Sequence, residues 1–500
     1  MLFRNTLAQS MGLVSATLFG FLLAPLMLAR LSLEEFGLWA VTGAVATYAG
    51  VADLGITRSI SRFVALYDVT EDRRGIAECV GLGLISVTVV GALSTAFAFI
   101  AAPILSSELG VLDTSDMRIV LLSVLGIFTF NGYRRVFSAV AIGLRRMVPP
   151  NVATVIGNCV NFAFSVAALV ISPNLVDYAL ANAAAEFVGI GLSFVALLYV
   201  WRPPPVAWPS WARSREILVF GLKTQVTWLA NIVTESDKLI VGVVVDVRAA
   251  AAYEIGSRVV RAVRGIATLT VSAIIPTATA YIVQHGREAI PDFYRRYTRR
   301  TVALSFPIYA LCCAAAPFLL TAWLGDVPGS ATPILMLLAL ANFVNITTGV
   351  GSTVSIGDGK PGLAARNSVV AALLSVGLAL ALAPLFGLWG VLAGFVLGIS
   401  GSALLFVRRF HRVYAIPLAG YARAVGSPAL LALGIAAPFT LFGLIAGDFA
   451  QSRASALPAL LVVAGLYTLL YWVIASWLGY LPRQLEAPFR ARRVRPSAAP

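Results

Sequence analysis

Hydrophobic positions in this chain neither alternate nor keep to one helical stripe; they run on in blocks of about 18 to 34 residues, divided by short polar breaks. Blocks of that length match helices crossing an apolar layer about 30 Å thick, upright or tilted. Fourteen are predicted. In the first half they cover 9–29, 36–60, 79–102, 119–142, 152–171 and 179–200. In the second half they cover 217–245, 250–283, 302–323, 334–356, 368–385, 388–407, 424–445 and 457–478. The expected fold is an all-α polytopic membrane protein, with no segment left for a soluble domain.

Composition agrees: 59% of residues are hydrophobic, 12% are charged, and mean hydropathy is +0.87. The net charge of +14 would point to nucleic acid in a soluble protein, but here its placement gives a different cause. If the N-terminus is cytoplasmic, 28 of the 37 basic residues fall on the inner side of the predicted spans and only Arg30, Arg118, Arg248 and Arg453 on the outer side. Inner loops rich in Lys and Arg set orientation, so the expected topology is N-in and C-in, with no nucleic-acid partner. The first apolar run is too long for a signal peptide and has no small-residue cleavage site after it, so it reads as a retained span. Cys79, Cys159, Cys312 and Cys313 lie in apolar segments without metal or redox spacing.

A weak repeat organises the blocks. Phe36 and Tyr253, 217 residues apart, open the second and eighth spans, and nearly the same offset carries the fourth span onto the tenth and Asn151 onto Asn367. Two pseudo-symmetric six-helix lobes are therefore expected at 1–201 and 216–412, joined by a cytoplasmic linker at 202–215. Helices 13 and 14 follow at 413–482, and a basic tail at 483–500. An even number of spans per lobe gives both lobes one orientation, with a cleft between them. Gly390, Gly394 and Gly398, four apart, read as a helix-packing stripe. Pro25, Pro276, Pro307, Pro317 and Pro384 are candidate kinks.

Charge inside the spans carries the candidate chemistry. Arg258, Arg261 and Arg264 fall within about 120° on one helix face, at depths of roughly 14 to 22 Å from the predicted entry. At about 2.5 to 3.5 kcal/mol each, three arginines facing lipid would oppose insertion, so they must face something else. Glu254, four residues before Arg258, allows a structural staple, helped by Glu235 and Asp237; a water-filled cavity attracting an anion is the other reading. Arg58, Arg62, Arg134 and Lys223 are further basic candidates. Asp53, Glu186, Asp237 and Glu254 are the acids available for charge balance or for coupling to a proton or sodium ion. No metal site, nucleophile or phosphate loop is visible; Gly357, Gly359 and Lys360 have the wrong spacing. With no cofactor implied and short outer loops, a secondary transporter is favoured over a polytopic glycosyltransferase or polysaccharide polymerase.

The segments "NTLAQSMG", "RLSLEEFG" (Arg30 to Gly37), "VADLGITRSISRFVA", "GLRR" (Gly143 to Arg146) and "YEIGSRVVRAVRGIATLTVSAIIP" resemble the polysaccharide transporter branch of the multidrug/oligosaccharidyl-lipid/polysaccharide flippase superfamily. The resemblance spans the chain through loose motifs. It implies alternating-access movement of an undecaprenyl-diphosphate-linked oligosaccharide from the inner to the outer leaflet of the bacterial cytoplasmic membrane through a cationic cavity, for O-antigen, capsule or exopolysaccharide. It also implies a pathway polymerase and glycosyltransferases as partners, besides membrane lipids. On this reading Arg258, Arg261 and Arg264 meet the diphosphate. The chain lacks the first-span arginine and the proline- and glycine-rich second-span entry of the peptidoglycan-precursor flippase. The drug-exporting branch usually has twelve spans and an acidic binding region. Both remain alternatives.

Overall fold

The computed structural model describes residues 2–49, 55–201, 207–234, 236–272, 274–446 and 452–480. Among them there is no strand. The helices are α1 (Leu2–Arg30), α2 (Leu33–Ala49), α3 (Ile56–Val69), α4 (Arg73–Leu109), α5 (Thr114–Gly143), α6 (Val148–Ile171), α7 (Leu175–Val200), α8 (Trp211–Thr234) and α9 (Asp237–Val244). They continue with α10 (Val247–Ser272), α11 (Ile274–His285), α12 (Ile290–Ala314), α13 (Ala316–Leu324), α14 (Ala331–Ile346), α15 (Gly349–Gly357), α16 (Gly362–Val413), α17 (Leu418–Ala446) and α18 (Arg453–Trp477). By length and composition, eight helical stretches among the described residues suffice to cross a membrane, or nine if α12 and α13 form one bent span. Large apolar side chains such as Ile171, Leu430 and Val195 stand exposed along these stretches, as lipid-facing residues of a multi-pass membrane protein do.

The chain forms two compact units. One comprises Met1–Ala262, Trp323–Leu338 and Ala365–Ser402; the other comprises Val263–Ala322, Ala339–Ala364 and Ala403–Pro500. In the first, α5 packs on α4 and α7, α6 packs on α1 and α7, and Ile60, Phe63, Val64, Val136 and Val140 fill the space between α3 and α5. In the second, α12 packs on α17, and Phe406, Phe410, Tyr294 and Phe293 form the core.

The ninth and tenth predicted spans are each two helices rather than one. Pro317, near the start of α13, has no N–H with which to continue the α12 ladder, and α12 and α13 meet at 70°. Between α14 and α15, the Thr347 and Thr348 hydroxyls donate to the Val344 and Asn345 carbonyls at 2.7 Å each, competing with the helical pattern just before Gly349. The second and seventh predicted spans are likewise shared, by α2 and α3 and by α8 and α9. Conversely, α16 carries the eleventh and twelfth blocks, separated by the single non-helical residue Gly387 at φ 54°, ψ −131°, a conformation an L side chain resists. The chain then folds back on itself, and the glycine stripe is the contact: a Cβ on Gly394 would lie 2.2 Å from the Ala379 nitrogen, and one on Gly390 2.2 Å from the Leu382 oxygen.

Proline kinks are repaired by side chains. Pro25 removes the donor for the Phe21 carbonyl, and the Trp323 indole donates to it at 2.8 Å. Pro307 does the same to the Ala303 carbonyl, which receives the buried Tyr471 hydroxyl at 2.8 Å. No water is available in a hydrocarbon layer to replace such a donor. Tyr471→Phe is therefore expected to lower stability by about 1–3 kcal/mol, the cost of an orphaned buried acceptor. Tyr467→Phe, which loses only a 3.5 Å contact to the Ala432 carbonyl, should cost less. Thermal unfolding of the two variants in detergent compares them; equal losses would contradict the repair.

Candidate functional site

The cationic face of α10 is built from the ends of short helices. The chain passes from α8 to α9 through Ser236, so that Asp237 and Lys238 in the first turn of α9 face Tyr253 and Glu254 in α10. The Tyr253 hydroxyl donates to Asp237 Oδ2 at 2.9 Å, and Lys238 Nζ donates to Glu254 Oε2 at 3.1 Å. Glu254 is 4% exposed, and its other oxygen takes two guanidinium groups: Arg258 Nη2 at 3.0 Å and Arg261 Nη2 at 2.7 Å. Three cations thus converge on one buried carboxylate.

The arginines are not used up by that carboxylate. Arg258 also donates to the Gly20 carbonyl of α1 at 3.0 Å and lies 5.7 Å from the Phe36 ring, while Arg261 donates to Ser257 Oγ at 2.8 Å. Beyond them lies a cavity of about 200 Å³, walled by Arg258, Arg261 and Ala262 on α10 and by Ala16, Thr17, Gly20 and Phe21 on α1. Glu254 is at the back of the two arginines, and small side chains face them. Arg264, three residues further along α10, is exposed and has no ion-pair partner among the described residues. Glu254 thus pairs with both guanidinium groups, and the same two arginines line a cavity.

The remaining predicted residues fall elsewhere. Arg134 on α5 is buried and ion-paired with buried Glu186 on α7, in a slot between Gly157 and Gly189, where added Cβ atoms would approach the guanidinium to 3.0 and 3.2 Å. Arg134 thus balances Glu186, at a place separate from the Glu254 cluster. Arg62 is exposed on α3, 4.0 Å from the Phe220 ring. Asp53 and Glu235, and the side chains of Arg58 and Lys223, lie outside the described residues. In the turn after α15, Lys360 pairs with Asp358 at 3.2 Å and Arg287 pairs with it at 2.6 Å. Burial would raise the Asp358 carboxyl, but hydrogen bonds from Arg287, Lys360 and Tyr414 outweigh it and hold the group below its ordinary range. That turn is a charged staple rather than a phosphate cradle. No disulfide joins the cysteines, and no group of metal-binding side chains occurs among the described residues.

Sequence reasoning counted Lys238 among the charged groups within the spans and Tyr253 only in the repeat, and it assigned no role to Ser257 or the α1 wall. The signal for that wall was available: Gly12, Ala16, Gly20 and Ala24 recur every four residues and give α1 one small-residue face.

Solved structures share the all-helical fold of the described residues. The chain is similar in fold to the lipid II flippase MurJ in an inward closed conformation, with TM-score 0.68 and 11% identity over 95% of this chain and 98% of that one. It is also similar to an inward-facing multidrug resistance MATE family transporter of the MOP superfamily, with TM-score 0.61 and 18% identity over 81% and 94%. A MOP superfamily transporter from Pyrococcus furiosus, described by the reverse polarity of its binding pocket, gives TM-score 0.51 and 17% identity over 83% and 95%. No curated protein matches. Residues 2–282 match the family described as polysaccharide biosynthesis protein, and the chain belongs to that family.

Proposed function

We propose that this protein is a flippase that carries an undecaprenyl-diphosphate-linked oligosaccharide from the inner to the outer leaflet of a bacterial cytoplasmic membrane by alternating access, for surface polysaccharide. The observation that carries the proposal is the cavity between α1 and α10, whose polar wall is made of Arg258 and Arg261 and whose α1 wall is Ala16, Thr17, Gly20 and Phe21. A diphosphate offers planar sets of oxygen acceptors that match guanidinium forks, and exclusion of water strengthens the pairing. The polyprenyl tail can stay in lipid while the headgroup crosses. An inside-negative potential assists export of an anion by about 2.3 kcal/mol per charge per 100 mV, so transport without a coupled ion is energetically open. The family match supports a polysaccharide pathway, with a polymerase and glycosyltransferases as partners. Reconstitution into liposomes with a labelled diphosphate-linked oligosaccharide tests the reading: the substrate should change leaflet chemically unaltered.

If a proton or sodium ion is coupled, Asp237 is the carrier that the described residues offer. Glu186 and Glu254 are committed to ion pairs, whereas Asp237 accepts from the neutral Tyr253 hydroxyl and has no ion pair within 4 Å among the described residues. Asp237→Asn should flatten the pH or sodium dependence of flipping while leaving the maximal rate nearly unchanged. An unchanged profile in a folded variant removes Asp237 from that role.

A further inference from the structure

A second basic site lies away from α10. The first turns of α12 carry Arg295, Arg296, Arg299 and Arg300, two pairs at i, i+4 spacing, and Arg423 of α17 joins them around a cavity of about 750 Å³ closed on its other side by Gly479 and Tyr480. Asp292 is the one acid in its wall, and it pairs with Arg295 at 3.0 Å. Arg299 lies 4.6 Å from the Tyr480 ring, while Arg296 and Arg423 are exposed and make no ion pair among the described residues. Such a cluster is larger than topology alone requires, and it is arranged around a space.

The same helix continues from this space into an apolar groove. Beginning at Ala303, one turn beyond Arg299, a groove of about 190 Å³ runs between α12 and α18, lined by Leu304, Pro307, Ile308 and Leu311 on one side and Tyr467 and Trp472 on the other. Pro307 lies in its wall, and the Tyr471 bond to the Ala303 carbonyl described above ties α18 to α12 beside it. From Arg299 to Leu311 the helix rises roughly 18 Å, close to half the hydrocarbon thickness. A cationic cup and an apolar slot on successive turns of one helix match the two parts of a lipid: phosphate at the arginines, chain along the slot.

We propose that α12, α17 and α18 form a binding site for an anionic phospholipid, with its phosphodiester headgroup held by Arg296, Arg299, Arg300 and Arg423 and one acyl chain in the groove at Leu304 and Ile308. A lipid with two phosphodiesters in one headgroup satisfies both arginine pairs. Basic pockets between membrane helices on the cytoplasmic side are suited to such headgroups, each arginine adding affinity that salt screens. The site is independent of the α10 cavity and of what the protein transports.

The test is native mass spectrometry and lipid titration of the purified full-length protein with cardiolipin, phosphatidylglycerol, phosphatidylcholine and inorganic pyrophosphate. Cardiolipin and phosphatidylglycerol should bind more tightly than phosphatidylcholine, and the R296Q/R300Q/R423Q variant should lose that preference by roughly 10- to 100-fold. Ile308→Trp, which fills the groove, should weaken both anionic lipids without weakening pyrophosphate. Size-exclusion profiles check that both variants remain folded, and the exposed arginine changes should not alter them. Equal binding of cardiolipin and phosphatidylcholine, or an undiminished preference in the triple variant, overturns the site. Pyrophosphate binding as tight as cardiolipin, insensitive to Ile308→Trp, overturns its assignment to a lipid in favour of a soluble anion.

Discussion

Arg134→Ala is expected to remove most folded protein from the membrane, with a stability loss of about 3–5 kcal/mol. The reason is the company Arg134 keeps: the pair with Glu186 is buried on both sides, and truncating the arginine leaves a carboxylate without a counter-charge between α5 and α7. Glu186→Gln should do similar damage by stranding the guanidinium between Gly157 and Gly189. Replacing both with apolar residues of similar volume, as in R134M/E186L, should recover much of the loss, because a buried ion pair contributes little net energy over well-packed apolar groups. Membrane abundance and thermal unfolding read this directly. Normal abundance of either single variant would show that the pair is not structural and would return Arg134 to the list of substrate contacts.

The second large effect is on transport rather than folding. Replacement of Arg258, Arg261 and Arg264 by alanine should abolish flipping, since each charge-assisted hydrogen bond to a diphosphate contributes about 1.5–3 kcal/mol, or roughly 10- to 150-fold in rate or occupancy if felt in the transition state. The three positions differ in how cleanly they report. Arg258 and Arg261 also neutralise Glu254, so their loss mixes binding with stability. Arg264 has no acidic partner among the described residues, so Arg264→Ala should lower transport with little effect on abundance. Glu254→Gln is the mirror case: it strands three cations and should act mainly through loss of folded protein.

The sequence made these residues visible because arginine in an apolar block has few physical explanations. It could not divide the explanations, since the partner of Arg134 stands 52 residues away and that of Lys238 across a helix break. Helix breaks were partly legible: Pro317 marks the bend between α12 and α13, but the Thr347 and Thr348 back-bonds depend on rotamers that hydropathy does not encode. The Gly390, Gly394 and Gly398 stripe was readable as packing, whereas its partner, the preceding half of α16, follows only from the turn at Gly387. Within "RLSLEEFG", a missed signal was the Ser-x-x-Glu spacing. Ser32 Oγ accepts the Glu35 N–H at 3.1 Å and Glu35 Oε2 accepts the Ser32 N–H at 2.9 Å, a capping box that starts α2 and also binds the Leu175 N–H of α7. The two lobes and the count of fourteen spans rest on loop charge and the repeat, and they enter the account as expectations that reporter fusions after Ala102, Ser214 and Ala250 can read.

The central claim is that the α10 arginines bind an anionic passenger. Flipping of a labelled undecaprenyl-diphosphate oligosaccharide in proteoliposomes, normalised to folded protein, tests it for wild type, Arg261→Lys, Arg261→Ala, Arg264→Ala and the triple-alanine variant. Lysine keeps the charge but loses the planar fork. The expected order is wild type above Arg261→Lys above Arg261→Ala, with Arg264→Ala reduced and the triple variant inactive; wild-type flipping by a stably folded triple-alanine protein would contradict the account.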